Sequence, residues 1–297
     1  MTTLSPRAVF VTRETDYELL VARHATREQA RFFLETRGQD IAVLEARHDL
    51  FRDTLRFARS VVPDDWRQAA VKRSDFDRFL FAPEDVIVAV GQDGLVANVA
   101  KYLDGQPVLG INPAPELYDG VLVRVKLEAL GAALPAAAAH AAPIERRTMV
   151  EAQLDNGAGL LALNEIFVGH RTHQSARYRI EAGEKGEDHS SSGLIVASGT
   201  GATGWARSIM EATHERFDLG VEEQAVAFFV REPFPSVSTG TKVKAGKIQA
   251  GSLAVTSRMN EGGVIFADGI EQDFLAFDFG RRVQVRAASR TLNLVVG

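Results

Sequence analysis

The chain has 297 residues, 45% of them hydrophobic and 25% charged, the balance of a folded globular protein, which excludes disorder as its main state. Its 34 basic and 39 acidic residues leave a net charge of −5, which argues against a polyanion-binding surface over the whole chain. With no cysteine, a disulfide scaffold, a thiolate nucleophile and a thiolate metal site are all excluded. No apolar stretch approaches the ~20 residues that span a bilayer, and residues 1–8 carry no apolar run. The expectation is a cytoplasmic protein that binds neither membrane nor nucleic acid.

In chain order, Val9-Phe10-Val11 reads as a short strand. Within 26–36, Ala30, Phe33 and Leu34 lie three and four residues apart, as one face of a helix requires. Ile41, Leu44, Leu50, Leu55 and Phe57 indicate more helix over 40–60, which Pro63 ends. Residues 86–90 form a continuous run, Val-Ile-Val-Ala-Val, the signature of a strand buried on both faces. The turn Gly91-Gln92-Asp93-Gly94 follows it, and then Leu95, Val99 and Leu103 repeat every four residues, marking a helix. Asp104-Gly105-Gln106 stops that helix, and 107–112 reads as the next strand. Strand, turn, helix and strand make a βαβ unit and hence a parallel sheet. A further helix is expected over 122–130. The alanine-rich stretch 131–143, interrupted by Pro135, reads as its end and a passage between domains.

Beyond Ile144 the texture changes. Short alternating segments occupy 148–154, 161–168, 176–180, 194–197, 225–230, 247–257, 264–267, 274–277 and 283–287, separated by Gly, Pro, Asp and Ser. One helix interrupts them at 204–215. The expected fold class is an α/β N-terminal domain with a Rossmann-like parallel sheet, 1–135, then an all-β sandwich-like C-terminal domain, 144–288. A tail, 289–297, is expected to return to the first domain.

Three constellations carry candidate chemistry. Gly91-Gln92-Asp93-Gly94 sits at the carboxyl end of a buried strand and the start of a helix, where open α/β sheets bind ligands. Glycines let the backbone approach a phosphate, the helix N-terminus offers free N–H groups, and Asp93 is available to orient a hydroxyl or take its proton. A tight strand-to-helix turn also favours Gly and Asp for conformation alone. Second, Asn164-Glu165 places two polar residues side by side in an apolar strand, pointing to opposite faces; a buried one demands a partner, which is a binding role or a structural hydrogen bond. Third, 198–205, Ser-Gly-Thr-Gly-Ala-Thr-Gly-Trp, exposes backbone N–H groups and hydroxyls between a strand and a helix, with Trp205 able to stack on a flat ligand. Blander features are His170 and His173, whose odd spacing on a strand gives no metal site, the acidic stretch 181–188, read as a solvated hairpin tip, and Arg281, Arg282, Lys242, Lys244 and Lys247, read as surface charge.

Occurring together and in this order, the three constellations resemble those of the NAD kinase family, which carries a Gly-Gly-Asp-Gly turn after a strand, a central Asn-Glu pair and a Thr-Gly-x-Thr loop. Arg231-Glu232-Pro233 after Phe228-Phe229-Val230, Ser191-Ser192-Gly193-Leu194, and Val108-Leu109-Gly110-Ile111-Asn112 followed by Pro115-Glu116 look like the mitochondrial-type branch. The resemblance covers roughly 86–268. It implies an N-terminal α/β domain, a C-terminal β domain, and transfer of a phosphoryl group from ATP or polyphosphate to the adenosine 2′-hydroxyl of NAD(H). By matching position, Asp93 would be the catalytic carboxylate, and Gly91 and Gln92 the phosphate-facing turn. Gly94, Asn164, Glu165, Thr203, Gly204, Trp205 and Ser208 would bind NAD. The resemblance also implies Mg²⁺ carried on the nucleotide rather than in a protein cage, and a homo-oligomer, dimer or tetramer.

The acceptor side is better preserved than the donor side: Ser192 stands where many bacterial members have an Asp contacting NAD, as in the mitochondrial-type branch, and Asn112 is followed by Pro113-Ala114 rather than Gly-Phe-Leu. Gln92 stands where the family has a second glycine; if that position needs φ > 0, a side chain there costs ~1–2 kcal/mol. Leu95 replaces a threonine whose hydroxyl could serve donor phosphate. These departures keep two alternatives in view: a non-catalytic NAD(P)(H)-binding homologue, and a lipid kinase of the diacylglycerol kinase type. The Asn-Glu pair and the Thr-Gly-x-Thr loop speak against the second.

Overall fold

The computed structural model describes residues 5–117 and 120–297. Its contacts divide the chain into two units, one up to Glu145 that takes back Asn293–Gly297, the other Arg146–Leu292.

The first unit is α/β. Its elements are β1 (Arg7–Thr12), α1 (Asp16–His24), α2 (Arg27–Glu35), α3 (Ile41–Ser60), β2 (Arg67–Lys72), β3 (Asp85–Val90), α4 (Asp93–Ala100), β4 (Pro107–Ile111) and α5 (Leu130–Ala138). The strands pair in parallel in the order β2-β1-β3-β4. Asn293 and Leu294 add a further parallel rung beside Pro107 and Val108. All six residues of β3 are buried, as its continuous apolar run requires of a central strand. By contrast β2, at the sheet edge, buries only Val71, and its Arg-Gln-Ala-Ala-Val-Lys sequence announces no strand. Helix α1 buries no residue fully, though Tyr17, Leu20 and Val21 pack against Ala30, Leu34 and Ile41. Its start was readable, because Thr15 and Glu18 form a capping box.

Two expectations are corrected here. Residues 122–126 are not helical; a single 3-10 turn, Leu127–Ala129, leads into α5 further along the chain. Pro135 lies inside α5 rather than ending it. Proline forfeits one backbone hydrogen bond, but Leu130, Leu134 and Ala137 on this alanine-rich helix are fully buried in the core with Phe10, Val88 and Leu109, and that burial outweighs the loss.

The second unit contains two sheets. Its strands are β5 (Ile144–Leu154), β6 (Gly159–Ala162), β7 (Glu165–His170), β8 (Ala176–Ala182), β9 (Lys185–Ser191), β10 (Leu194–Ala197), β11 (Val226–Val230), β12 (Ala245–Ile248), β13 (Leu253–Ser257), β14 (Gly263–Ala267), β15 (Phe274–Ala276) and β16 (Arg282–Val295). One sheet is antiparallel throughout, in the order β12-β11-β10-β7-β14-β15. In the other, β16, β13, β8 and β9 run side by side, with β5 pairing β16 and β6. Strand alternation sorts the side chains of the first sheet. Ile166, Val168, Leu194, Val196 and Phe228 share a core with Val255 and Val285 of the other sheet. Phe167, Ile195, Ala197 and Phe229 face the opposite way and pack under α6 (Trp205–Thr213) through Ala206, Ile209 and Met210. The domain is thus layered, with one helix covering a sheet that is apolar on both faces.

The stretch 181–188 is the end of the β8–β9 hairpin, turning at Gly183-Glu184 with 183–186 exposed, as expected of a solvated tip. Glu181 and 185–188 belong to the paired strands β8 and β9, and their charges are engaged, as in Arg179–Asp188 and Arg282–Glu181. The segments expected at 161–168 and 247–257 each break into two strands, and the first break falls at Leu163-Asn164. Among the described residues, no helix is long and apolar enough to cross a membrane.

Candidate active site

In the first unit, Asp93 opens α4 directly after β3, where an acid complements the helix N-terminus. Its carboxylate is engaged on both oxygens: Oδ2 accepts the N–H of Val121 at 2.8 Å, and Oδ1 those of Leu122 at 2.8 Å and Val123 at 3.3 Å. The same segment crosses β4 at Gly110, whose carbonyl takes the Val125 N–H. A Cβ at Gly110 would lie 2.3 Å from the Leu122 carbonyl oxygen, so only glycine admits the crossing. A carboxylate has about four acceptor positions, and three are filled. One remains on Oδ2.

Gln92 is the N-cap of α4 at φ −102°, ψ 170°, ordinary extended backbone. The strain expected of a side chain there is therefore absent. Its Oε1 accepts from Arg13 at 3.2 Å. Leu95 is 2% exposed and packs beneath Gly91, where a Cβ would stand 3.1 Å from Leu95 Cδ2. A hydroxyl at position 95 would point into the core.

A cleft opens at the carboxyl ends of β1, β3 and β4, lined by Arg13, Arg47, His48, Gly91, Gln92 and Asn112. His48 Nδ1 lies 2.9 Å from the Thr15 hydroxyl that caps α1. Arg13, Arg47 and His48 were missed from sequence. Arg13 was within reach of the rule that ligands sit at strand carboxyl ends, since it directly follows β1. Arg47 and His48 had no signal, because α3 delivers them from a distant part of the chain.

In the second unit, the Asn-Glu pair and the small-residue loop meet. Asn164 lies in the bend between β6 and β7, and Glu165 is the first residue of β7, so the two do not alternate within one strand as expected. Ser198 N–H donates to the Asn164 carbonyl at 2.9 Å, and the Ser198 hydroxyl donates to that of Leu163. A Cβ on Gly201 would come 2.2 Å from the Asn164 carbonyl oxygen, so this loop packs directly against the pair's backbone. Thr203 Oγ1 donates to Thr200 O, and Arg147, 2% exposed, donates to Thr200 Oγ1 at 3.3 Å. Trp205 stacks on Phe167 with centroids 6.3 Å apart and planes 9° from parallel, and Arg231 stands 5.2 Å from its ring. Trp205, Ser208, Arg231, Glu232 and Pro233 line one groove.

Sequence reasoning also missed Asp268, which follows β14. Its carboxylate accepts the N–H groups of Leu163 (2.9 Å), Asn164 (2.7 Å) and Glu165 (3.4 Å). The Asp-Gly dipeptide at 268–269 after an apolar run was a readable turn signal. Burial and, second, the Asp268 charge push the Glu165 carboxyl up to about 7. His170 ends β7 and His173 lies in the loop beyond it. Among the described residues, no group of three or more His, Asp or Glu side chains could hold a metal ion.

No family model matches the chain. It is 25% identical over 254 residues to mitochondrial NAD kinase 2 of Rattus norvegicus, an alignment covering 68% of this chain and 60% of that protein. It is 35% identical over 133 residues to the NAD kinase of Heliobacterium modesticaldum, covering 42% of this chain and 46% of that one. The chain thus spans about half to three fifths of the length of these relatives. In fold it resembles an Archaeoglobus fulgidus NAD kinase solved in complex with ATP, with TM-score 0.57 and 18% identity, over 97% of this chain and 93% of that one. In sequence and in fold, the chain is similar to NAD kinases. Of the three motifs, Gly91-Gln92-Asp93-Gly94 stands on the first unit. The Asn164-Glu165 bend and the Thr200-Gly201-Ala202-Thr203 loop stand on the second, held against each other.

Proposed function

We propose that this protein phosphorylates NAD(H) at the adenosine 2′-hydroxyl, with ATP or polyphosphate as donor. The hydroxyl oxygen forms the new bond to the terminal phosphorus, the bond from that phosphorus to the bridging oxygen breaks, and the shortened donor leaves. The hydroxyl proton passes to a carboxylate, and the remaining acceptor position on Asp93 Oδ2 suits that role. Such transfer is mostly positioning and charge stabilisation. Asn164 and Glu165 are assigned to the acceptor, with Thr203, Gly204, Trp205 and Ser208. Trp205, already stacked on Phe167 and facing Arg231, offers a flat surface to a ring. Gly94 is assigned with the acceptor, and the donor phosphates to Gly91 and Gln92 at the start of α4, with Arg13 and Arg47 as cations in the same cleft. Mg²⁺, if used, arrives on the donor's phosphates and is part of the substrate.

The observation that carries this reading is the contact of Gly201 with the Asn164 backbone, because it joins two constellations far apart in sequence. A second reading, NAD(P)(H) binding without turnover, draws on the three N–H groups that hold Asp93, since a carboxylate so engaged also serves as a clamp. One assay separates the readings. The protein is incubated with NAD, NADH or a diacylglycerol, each with ATP or polyphosphate, alongside Asp93→Asn. Kinase action predicts NADP(H) formation that falls at least ~10²-fold in the variant, with NAD affinity little changed. Binding without product supports the second reading, and a phosphorylated lipid alone overturns both.

A further inference from the structure

Leu163 and Asn164 lie between β6 and β7, where the sheet ladder gives their backbone N–H groups no strand partner. Buried backbone donors require acceptors, and Asp268 supplies them, taking three consecutive N–H groups at 2.7–3.4 Å. Its own N–H returns a bond to the Glu165 carbonyl at 3.0 Å. Asp268 and Gly269 both have positive φ, 49° and 70°, and Ile270 N–H closes the turn on the Ala267 carbonyl. Aspartate is among the few residues that tolerate this region. On its other side the bend is held by Ser198, through the carbonyls of Leu163 and Asn164. The 163–165 backbone is therefore gripped by its donors at Asp268 and by its acceptors at Ser198. Neither group needs to touch a ligand to decide where the Asn164 and Glu165 side chains point.

We propose that Asp268 is a positioning residue for recognition of the NAD acceptor, fixing the bend that presents Asn164 and Glu165. This rests on the reading above that those two residues hold NAD. Asp268 also adds its charge to the burial that raises Glu165, so it contributes to the pH at which acceptor affinity changes as well as fixing the geometry. A merely structural cap would do the first and leave no electrostatic trace on substrate binding.

The test uses the full chain. Asp268→Asn keeps one acceptor oxygen and the side-chain shape while removing the charge. Gly269→Ala strains the adjacent positive-φ position, where a methyl group meets no other atom within 4 Å, and serves if the first variant does not fold. KM for NAD, KM for ATP, kcat and melting temperature are measured from pH 5.5 to 8.5. The expected result for Asp268→Asn is a rise of about tenfold in KM for NAD with KM for ATP nearly unchanged. The pH midpoint of NAD affinity should fall by about one unit as Glu165 loses a negative neighbour. Glu165→Gln should abolish that midpoint in both backgrounds. Gly269→Ala should show the same split between the two KM values on a smaller scale. A folded Asp268→Asn with parental KM for NAD and parental midpoint overturns the proposal. So does an equal rise in both KM values accompanied only by a lower melting temperature. A parent protein that neither binds nor phosphorylates NAD(H) overturns instead the functional reading on which the proposal rests.

Discussion

Glu165 shows how a fold can act on one carboxyl. It is half-buried at the head of β7, and burial, with the Asp268 charge second, raises it from 4.5 to about 7. An acid raised in the folded state holds a proton there that the unfolded chain has already released, so stability falls as pH rises from about 4.5 to 7 and is level beyond. Glu165→Gln imitates the protonated form. Denaturant titration should find it close to the parent in stability at pH 4.5 and more stable by about 1–3 kcal/mol at pH 8. A gap independent of pH would show that Glu165 titrates normally. Asp93 and Asp268 share one device, a carboxylate closing on three successive backbone donors, with Asp93 gripping 121–123 and Asp268 gripping 163–165. Sequence singled out Asp93 for its turn and overlooked Asp268, because a carboxylate's partners far along the chain leave no local mark.

Helix α4 shows why a family position cannot be read from its side chain alone. Leu95, the position at which the resemblance implies a threonine, is buried under the Gly91 turn. Leu95→Thr should therefore cost about 2–4 kcal/mol in stability, as large-to-small core changes do, and leave turnover per folded molecule no higher than the parent's. Chemical denaturation and a donor-saturated assay check both halves; a faster, equally stable variant would return the hydroxyl to the donor site. Elements with strong periodicity or unbroken apolar runs, such as β3, β4, β10 and α3, were legible from sequence because burial imposes the pattern on one short segment. Strand β2 was not, since an edge strand needs only one buried residue, Val71. Helix α5 was misjudged at Pro135 because contacts with Phe10 and Leu109, remote in sequence, outweigh one lost hydrogen bond.

At the scale of the whole molecule, each unit has its own core, and each carries a distinct part of the proposed chemistry. Acceptor binding is therefore testable within the second unit. NAD at a hundredfold excess over its dissociation constant should stabilise the protein by ~2.7 kcal/mol through mass action. Amide exchange should slow at 163–165 and 198–205. A thermal scan with NAD, NADH, NADP and NADPH at millimolar concentration checks the first, and hydrogen–deuterium exchange the second. Stabilisation with protection confined to the cleft of Arg13 and Arg47 would move acceptor binding to the first unit. The chain's last residues belong to the first unit too, since Asn293 and Leu294 pair with β4 and Val296 N–H bonds Pro143.

By itself, the sequence determined β1, α2, α3, β3, α4 and β4 in the first 111 residues, the change to short strands after Ile144, and three motifs whose order resembles that of NAD kinases. These are local properties: periodicity, turn chemistry and residue type are written within a dozen neighbours. Only the tertiary structure decided that Gln92 is unstrained, that Leu95 is core, that Asn164 sits in a bend, and that Arg13 joins Arg47 at one cleft. It alone decided that Asp268, more than a hundred residues from Asn164, holds that bend. Each of these depends on which distant backbone donors and apolar surfaces come to lie beside a residue, and no window of sequence contains that information.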